Sequence, residues 1–485
     1  ETTVINIAIP RVIADLHGMA YYSWVFTIYI LGSTVMIPIY GKLSDLYGRK
    51  PLLLLGITLF LVGSMACGLS QTMPQLIISR TIQGVGTAGL INLCMLYVGI
   101  AFPLTQRHKL GAMVSSVWAL ASLLGPAIGA VIAAYSSWRF AFLINVPLCL
   151  LILLGSRCYF RHLPKPPPQG PFDIVGASFF TAGTIFLLLV IVSFGKALFS
   201  WQEALLLLVA IGFYALLYKR SQTVKNCFLS LEPLKKYPHV AVAMGIGALC
   251  GAFLFSTSNF LPLFVQGAQG LGVKQVGYVI TSMALGTCMG SFLTAMLLGR
   301  LGFKYTLLIS FSFLVMGVIL LTAIQQTSSF ESILLANFCL GTGIGMSSNS
   351  SIVATQNYSP RSQLGVNTGL FGFFRSVGGM LAISFLGTIQ IATYTTEIAA
   401  KAADAEYVGI QSALNHPEWI LSEGNREMLS STVLTLLEES LAISIRFAFL
   451  GLAPFVLIHL FLTMKMPKTR PHEIGIIPEP ESMGE

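Results

Sequence analysis

Charge is what this sequence has least of. Only 10% of its 485 residues are Asp, Glu, Lys or Arg, against about 25% in a soluble domain. A water-soluble fold could not cover itself with so few charged groups, whereas a chain solvated by lipid has no such need. The shortage therefore excludes a large soluble core. No Gly-rich loop ending in Lys and Ser or Thr occurs, so the chain is not expected to use ATP and an enzyme reading has little support. The eight cysteines are spread singly, from Cys67 to Cys339; that excludes a paired framework and reads as small apolar packing. The seven histidines show no metal-ligand spacing, and His108, His162 and His472 fall in polar connections. No metal and no cofactor beyond a proton gradient is expected. A secretory signal pattern and an initiating Met are both missing; Glu1 falls inside an apparent helix, so the first span is expected to be truncated.

What the chain does have is apolar sequence, 55% of all residues with a mean hydropathy of +0.78. A spanning helix needs about 20 apolar residues. Breakers and charges divide the chain into fourteen such runs, at 1–15, 21–40, 51–70, 75–101, 110–133, 140–160, 174–195, 202–218, 239–264, 275–298, 305–324, 332–356, 364–392 and 441–463. The formal charge of +9 does not point to nucleic acid, because the basic residues sit in short connections. Lys42, Arg49 and Lys50, Arg107 and Lys109, Lys219 and Arg220, Arg300 and Lys304, and Lys465 and Lys468 all fall on one side of an alternating layout. That asymmetry predicts a multi-pass plasma-membrane protein with both termini cytoplasmic.

The punctuation predicts an all-α plan of six spans (1–160), a Pro-rich linker (161–171), two inserted spans (172–218), a basic linker (219–238), six further spans (239–464) and a tail (465–485). One long external segment is expected at 394–440. An internal repeat is visible as well. Arg80-Thr-Ile-Gln-Gly84-Val-Gly86 in the fourth span aligns with Asn337-Phe-Cys-Leu-Gly341-Thr-Gly343 in the twelfth.

Several motifs resemble those of the major facilitator superfamily. Gly41-Lys-Leu-Ser-Asp45-Leu-Tyr-Gly48-Arg49-Lys50, after the second span, resembles that family's motif A, which implies a gate latching two helical halves. Leu46 stands where a basic residue is often found. Glu1-Thr-Thr-Val-Ile-Asn-Ile-Ala-Ile-Pro10, Trp138 to Pro147, and Phe172-Asp173-Ile-Val-Gly176 are similar to segments of its fourteen-spanner drug:proton antiporters, the multidrug resistance protein B-like exporters. Gly125-Pro126-Ala-Ile-Gly129 in the fifth span resembles the antiporter motif C, although Ala121 and Ala130 replace two expected glycines. The resemblance implies a major facilitator fold of two six-helix bundles plus two inserted helices. It implies a monomeric exporter of amphiphilic small molecules, driven by proton antiport, located in the plasma membrane (the inner membrane if the cell is Gram-negative) and conferring antibiotic resistance. A periplasmic adaptor, a dedicated exporter of one product such as a siderophore or lipid, and an importer on the same fold stay open.

Carboxylates inside spans are costly, about 2.5–3.5 kcal/mol on insertion scales, and Glu1 is the acid placed within one. It stands where the family usually has Asp, and Arg80 matches the arginine of motif B. Burial and a neighbouring guanidinium act in opposite senses on proton affinity, so the pair Glu1 and Arg80 is expected to couple protons. Arg375, near the middle of the thirteenth span, needs a partner: helix dipoles, carbonyls or an anionic substrate group. Expected cavity walls are Tyr22, Trp24, Tyr29, Trp118, Phe371 and Phe374, with polar anchors at Gln83, Asn92, Asn145, Asn259, Gln266, Asn349 and Gln356. The polar run Ser347–Ser351 suggests a water-lined face. No second acid is present for dications, so monocationic, neutral or anionic amphiphiles fit better.

Overall fold

In a computed structural model the described residues are 12, 15–16, 22–101, 109–110, 113–114, 116–117, 120–121, 124–125, 128–129, 132, 137–159, 171–193, 201–224, 227–229, 237–401 and 431–473. They are helical throughout, with α1 (Tyr22–Tyr47), α2 (Arg49–Leu69), α3 (Met73–Ala101), a single turn α4 (Phe140–Leu143), α5 (Asn145–Tyr159), α6 (Ile174–Ser193), α7 (Trp201–Thr223), α8 (Pro238–Leu263), α9 (Val273–Thr322), α10 (Phe330–Asn357), α11 (Leu364–Lys401), α12 (Ser431–Leu450) and α13 (Ala453–Lys465).

Ten helices among the described residues are long and apolar enough to cross a membrane. One of them, α9, has 50 residues and would run about 75 Å if straight, more than twice a hydrocarbon core of about 30 Å. It breaks at Gly302, where φ is 80° and ψ is 176°, a conformation only glycine adopts freely. The break falls at the basic turn expected between two spans. The external segment placed at 394–440 is shorter at both ends: α11 continues to Lys401 and α12 begins at Ser431. A helix longer than the bilayer is thick simply projects, and Glu397, Glu438 and Glu439 ride on the projecting turns. Residues 402–430 and the first and fifth spans lie largely outside the described residues.

Helices α1, α2, α3 and α5 pack as one group, and α8 to α13 as another. Their seam is made mainly by α1 and α3 against α11. The repeat is built into both groups. An added Cβ on Gly84 would lie 2.5 Å from the Tyr29 carbonyl of α1, and one on Gly341 would lie 2.6 Å from the Met283 carbonyl of α9. Gly86 likewise abuts α2 at Phe60, and Gly343 abuts the second half of α9 at Leu314. Small residues thus let α3 and α10 sink into equivalent grooves.

The inserted pair α6 and α7 lies over the seam. Phe180 and Ile191 share a cluster with Val35 and Ile39 of α1 and with Phe373 and Val377 of α11. The Phe180 and Phe373 rings are 5.1 Å apart. The pair is tied at its base by Asp173, whose carboxylate accepts from the Gly176 N–H (3.0 Å), Arg220 Nε (2.7 Å) and the Phe228 N–H (3.1 Å).

Candidate functional site

Two features occupy the seam. The first is a clasp at the end of α1 that carries Lys42, Arg49 and Lys50. Gly48 turns the chain there with φ 89°, which explains the glycine. Asp45, 2% exposed, accepts from the N–H groups of Gly365 (3.0 Å) and Val366 (2.9 Å). These are free donors at the start of α11, where the helix dipole favours a negative charge. Arg49 stands 4.0 Å from the same carboxylate. The helices almost touch here: a Cβ on Gly41 would lie 2.4 Å from the Gly365 carbonyl oxygen. A second bond closes the same end, from Gln356 Nε2 of α10 to the Met95 carbonyl of α3 (3.0 Å).

The second feature is a cavity of about 440 Å³ between the two groups, within the size range of small-molecule sites. Its apolar wall includes Ile37, Ile91, Met95, Leu254, Phe255 and Phe371. Asn92, Asn349 and Arg375, all expected from sequence, line it, together with Thr257, Ser258, Thr287, Ser291 and Thr368. Asn92 donates to the Ile37 carbonyl (3.3 Å) and Asn349 to the Ser291 carbonyl (3.4 Å).

Other expected residues are placed elsewhere. Gln83 is fully buried behind α3, donating to Ser64 Oγ (2.7 Å) and accepting from Arg80 Nη1 (2.8 Å). Arg80 also donates to the Val25 carbonyl (3.3 Å) and lies 4.0 Å from the centroid of the Tyr29 ring. Its counterpart Asn337 donates to the Val279 carbonyl (2.7 Å). Trp24 is 43% exposed, and Phe374 also faces outward. Asn145 donates to Phe142 of its own turn. Asn259 is exposed and Gln266 lies in a π-turn, Phe264–Ala268, after α8. Asn337 reaches the cavity wall; the expected residues named here do not line it. Gly125 and Gly129 are buried. Glu1, Pro126, Trp118 and the side chain of Tyr22 lie outside the described residues, so the proposed acid has no described geometry.

Two polar clusters went unread in the sequence. Asp15 accepts from Arg139 Nη1 (2.7 Å) and Trp138 Nε1 (2.9 Å), joining the start of α4 to the first span. In the second group, buried His459 of α13 bonds Ser347 (2.6 Å), which also bonds Ser310 (2.5 Å). The Cys250 thiol reaches Ser347 as well, and lies within electrostatic range of Arg375. A histidine inside an apolar span, with the Ser347–Ser351 run to pair with, was the available signal.

Helices that cross a bilayer in two related groups, with a mid-seam cavity clasped shut at one end, define a membrane transporter rather than an enzyme. The chain belongs to the Major Facilitator Superfamily, whose sequence pattern matches residues 1–383. It is 28% identical over 467 residues to "Multidrug resistance protein 3" of Bacillus subtilis, covering 94% of this chain and 90% of that protein. It is 29% identical to the "Multidrug transporter protein MdtP" of the same organism over 80% of this chain and 72% of that one. The solved proton:xylose symporter XylE superposes with a TM-score of 0.58 over 98% of this chain and 94% of that chain. At 14% identity that likeness shows the fold alone.

Proposed function

We propose that the protein exports amphiphilic small molecules in exchange for protons, by alternating access of two six-helix bundles in a fourteen-span plasma-membrane monomer. The observation that carries this reading is the Asp45 clasp. It holds the basic end of the seam closed by two charge-assisted hydrogen bonds while the cavity beyond it stays formed. Such contacts can be exchanged for others when the halves rock. The relatives named for multidrug resistance and multidrug transport support amphiphilic cargo. Glu1 is assigned the proton, with Arg80 tuning it from the fourth span.

The test is substrate-dependent proton movement in proteoliposomes of known sidedness. Wild-type protein should move protons against cargo, and Glu1→Gln should not. Cargo flux in the same direction as protons, or exchange indifferent to ΔpH, would overturn the reading.

A further inference from the structure

We propose that the cavity selects amphiphiles carrying an anionic group, and that Arg375 is the residue that reads that charge. The inference rests on the cavity being the cargo site, and it names the cargo's class. Arg375 is the one ionisable group among the described lining residues. It stands eleven residues into α11, about 16 Å from the helix start, close to the middle of a hydrocarbon core of about 30 Å. A guanidinium at that depth requires a counter-charge or water.

Among the described residues no acid stands beside it. In the second group of helices the described acids within helices are Glu331, Glu397, Glu438 and Glu439. Glu331 is in the first turn of α10, Glu397 in the last turns of α11, and Glu438 and Glu439 in the outer half of α12, where Glu438 bonds Gln326 of the α9–α10 connection. Asp45 sits on the seam level with Gly365, about 15 Å along α11 from Arg375, and it is already engaged with Gly365 and Val366.

What stands behind Arg375 is neutral or cationic. Cys250 lies within electrostatic reach of it, and beyond Cys250 come Ser347, Ser310 and His459. None of these offers a full negative charge, since Cys250 is buried at 0% exposure and that burial disfavours a thiolate. The arginine is also held in place. A Cβ on Gly251 of α8 would lie 1.8 Å from the Arg375 carbonyl oxygen, so α8 and α11 meet backbone to backbone at this level.

A planar fork of donors fits carboxylate, sulfonate or phosphate bidentately. The apolar wall of Ile91, Met95, Leu254, Phe255 and Phe371 fits the body attached to such a headgroup and gives a bare inorganic ion nothing to hold.

The probe is a matched dansyl trio on one undecyl chain, ending in a carboxylate, a primary amide or a trimethylammonium. Binding to full-length protein in zwitterionic nanodiscs is read from dansyl emission, corrected against empty discs. The carboxylate should bind about 10-fold or more tighter than the amide, as expected for hydrogen bonds to a charged group. Arg375→Gln should bring the ratio to about one and leave amide binding within about two-fold; Arg375→Lys should keep part of the preference. Raising chloride at constant ionic strength should leave carboxylate binding unchanged. Equal binding of all three probes, preference for the ammonium, or strong chloride competition would overturn the proposal, and the wild-type comparison decides even if Arg375→Gln does not fold. The assay needs no gradient. A carboxylate preference without proton exchange would sink the antiport reading alone, and proton exchange with neutral cargo only would sink this one alone.

Discussion

Asn92 and Asn349 hold equivalent places in the two halves of the molecule. Each sits on the helix that its glycine pair sinks into a neighbour, each donates to a carbonyl of that neighbour, at Ile37 and Ser291, and each faces the cavity. The same register relates Arg80 on Val25 to Asn337 on Val279. The halves therefore share one packing scheme and differ in charge at one point of it.

That difference gives a test of Arg80. Asn in its place is what the second half already uses, so Arg80→Asn should preserve the bond to Val25 and the fold. Its melting temperature should fall by no more than a few degrees, a loss of about 1 kcal/mol. Proton-coupled exchange should be abolished. Exchange at the wild-type rate would make Arg80 a packing residue only.

Asp45→Asn should loosen the clasp. The amide oxygen can still accept one hydrogen bond, but the charge facing the α11 N-terminus is gone, worth about 1–2 kcal/mol. The population closed at this end should drop roughly 5- to 30-fold, measured by spin-label distances between α1 and α11. Gly365→Ala should act in the same direction, since its Cβ would lie 2.5 Å from Asp45 Oδ1.

Asp173 gives a pH dependence. Burial alone would raise its carboxyl, but hydrogen bonds from Gly176, Arg220 and Phe228 outweigh that and hold it below the ordinary Asp value. A depressed folded-state pKa contributes stability above the unfolded value, near 3.9, and loses it as pH falls through the folded one. The base of the α6–α7 pair should therefore stay intact from neutral pH to about 4 and loosen below. Asp173→Asn should show that loosening at pH 7, about 1–3 kcal/mol, read by proteolysis after residue 224.

Ser347→Ala removes the shared partner of His459, Ser310 and Cys250. Buried polar groups left unpaired cost about 1–3 kcal/mol. A melting temperature lower by several degrees is expected, whereas an unchanged one would mean the cluster re-pairs.

The motif loop was legible because Asp45, Gly48 and Arg49 act through local geometry. Its partner was not, because Gly365 and Val366 contribute backbone N–H groups that carry no side-chain signature. Helical phase explains which polar residues reach the cavity. Gln83 and Asn92 are nine residues apart on α3, about half a turn out of phase, so only one can face it. Asn349 and Gln356 are in phase, but Gln356 lies about 10 Å further along, level with the clasp, and bonds α3 there. Polar residues in a membrane interior take the nearest donor or acceptor, as Gln83 does with Ser64; sequence shows their presence and not their neighbour.

The inserted pair has a mechanical meaning beyond adding length. By gripping Val35 and Phe373 together, α6 and α7 act as the spine of a book whose covers are the two halves. Covers bound along one edge open along another, so a greasy molecule arriving sideways from the leaflet would slip between pages where Ser116 meets Cys288, an edge with no such binding among the described residues.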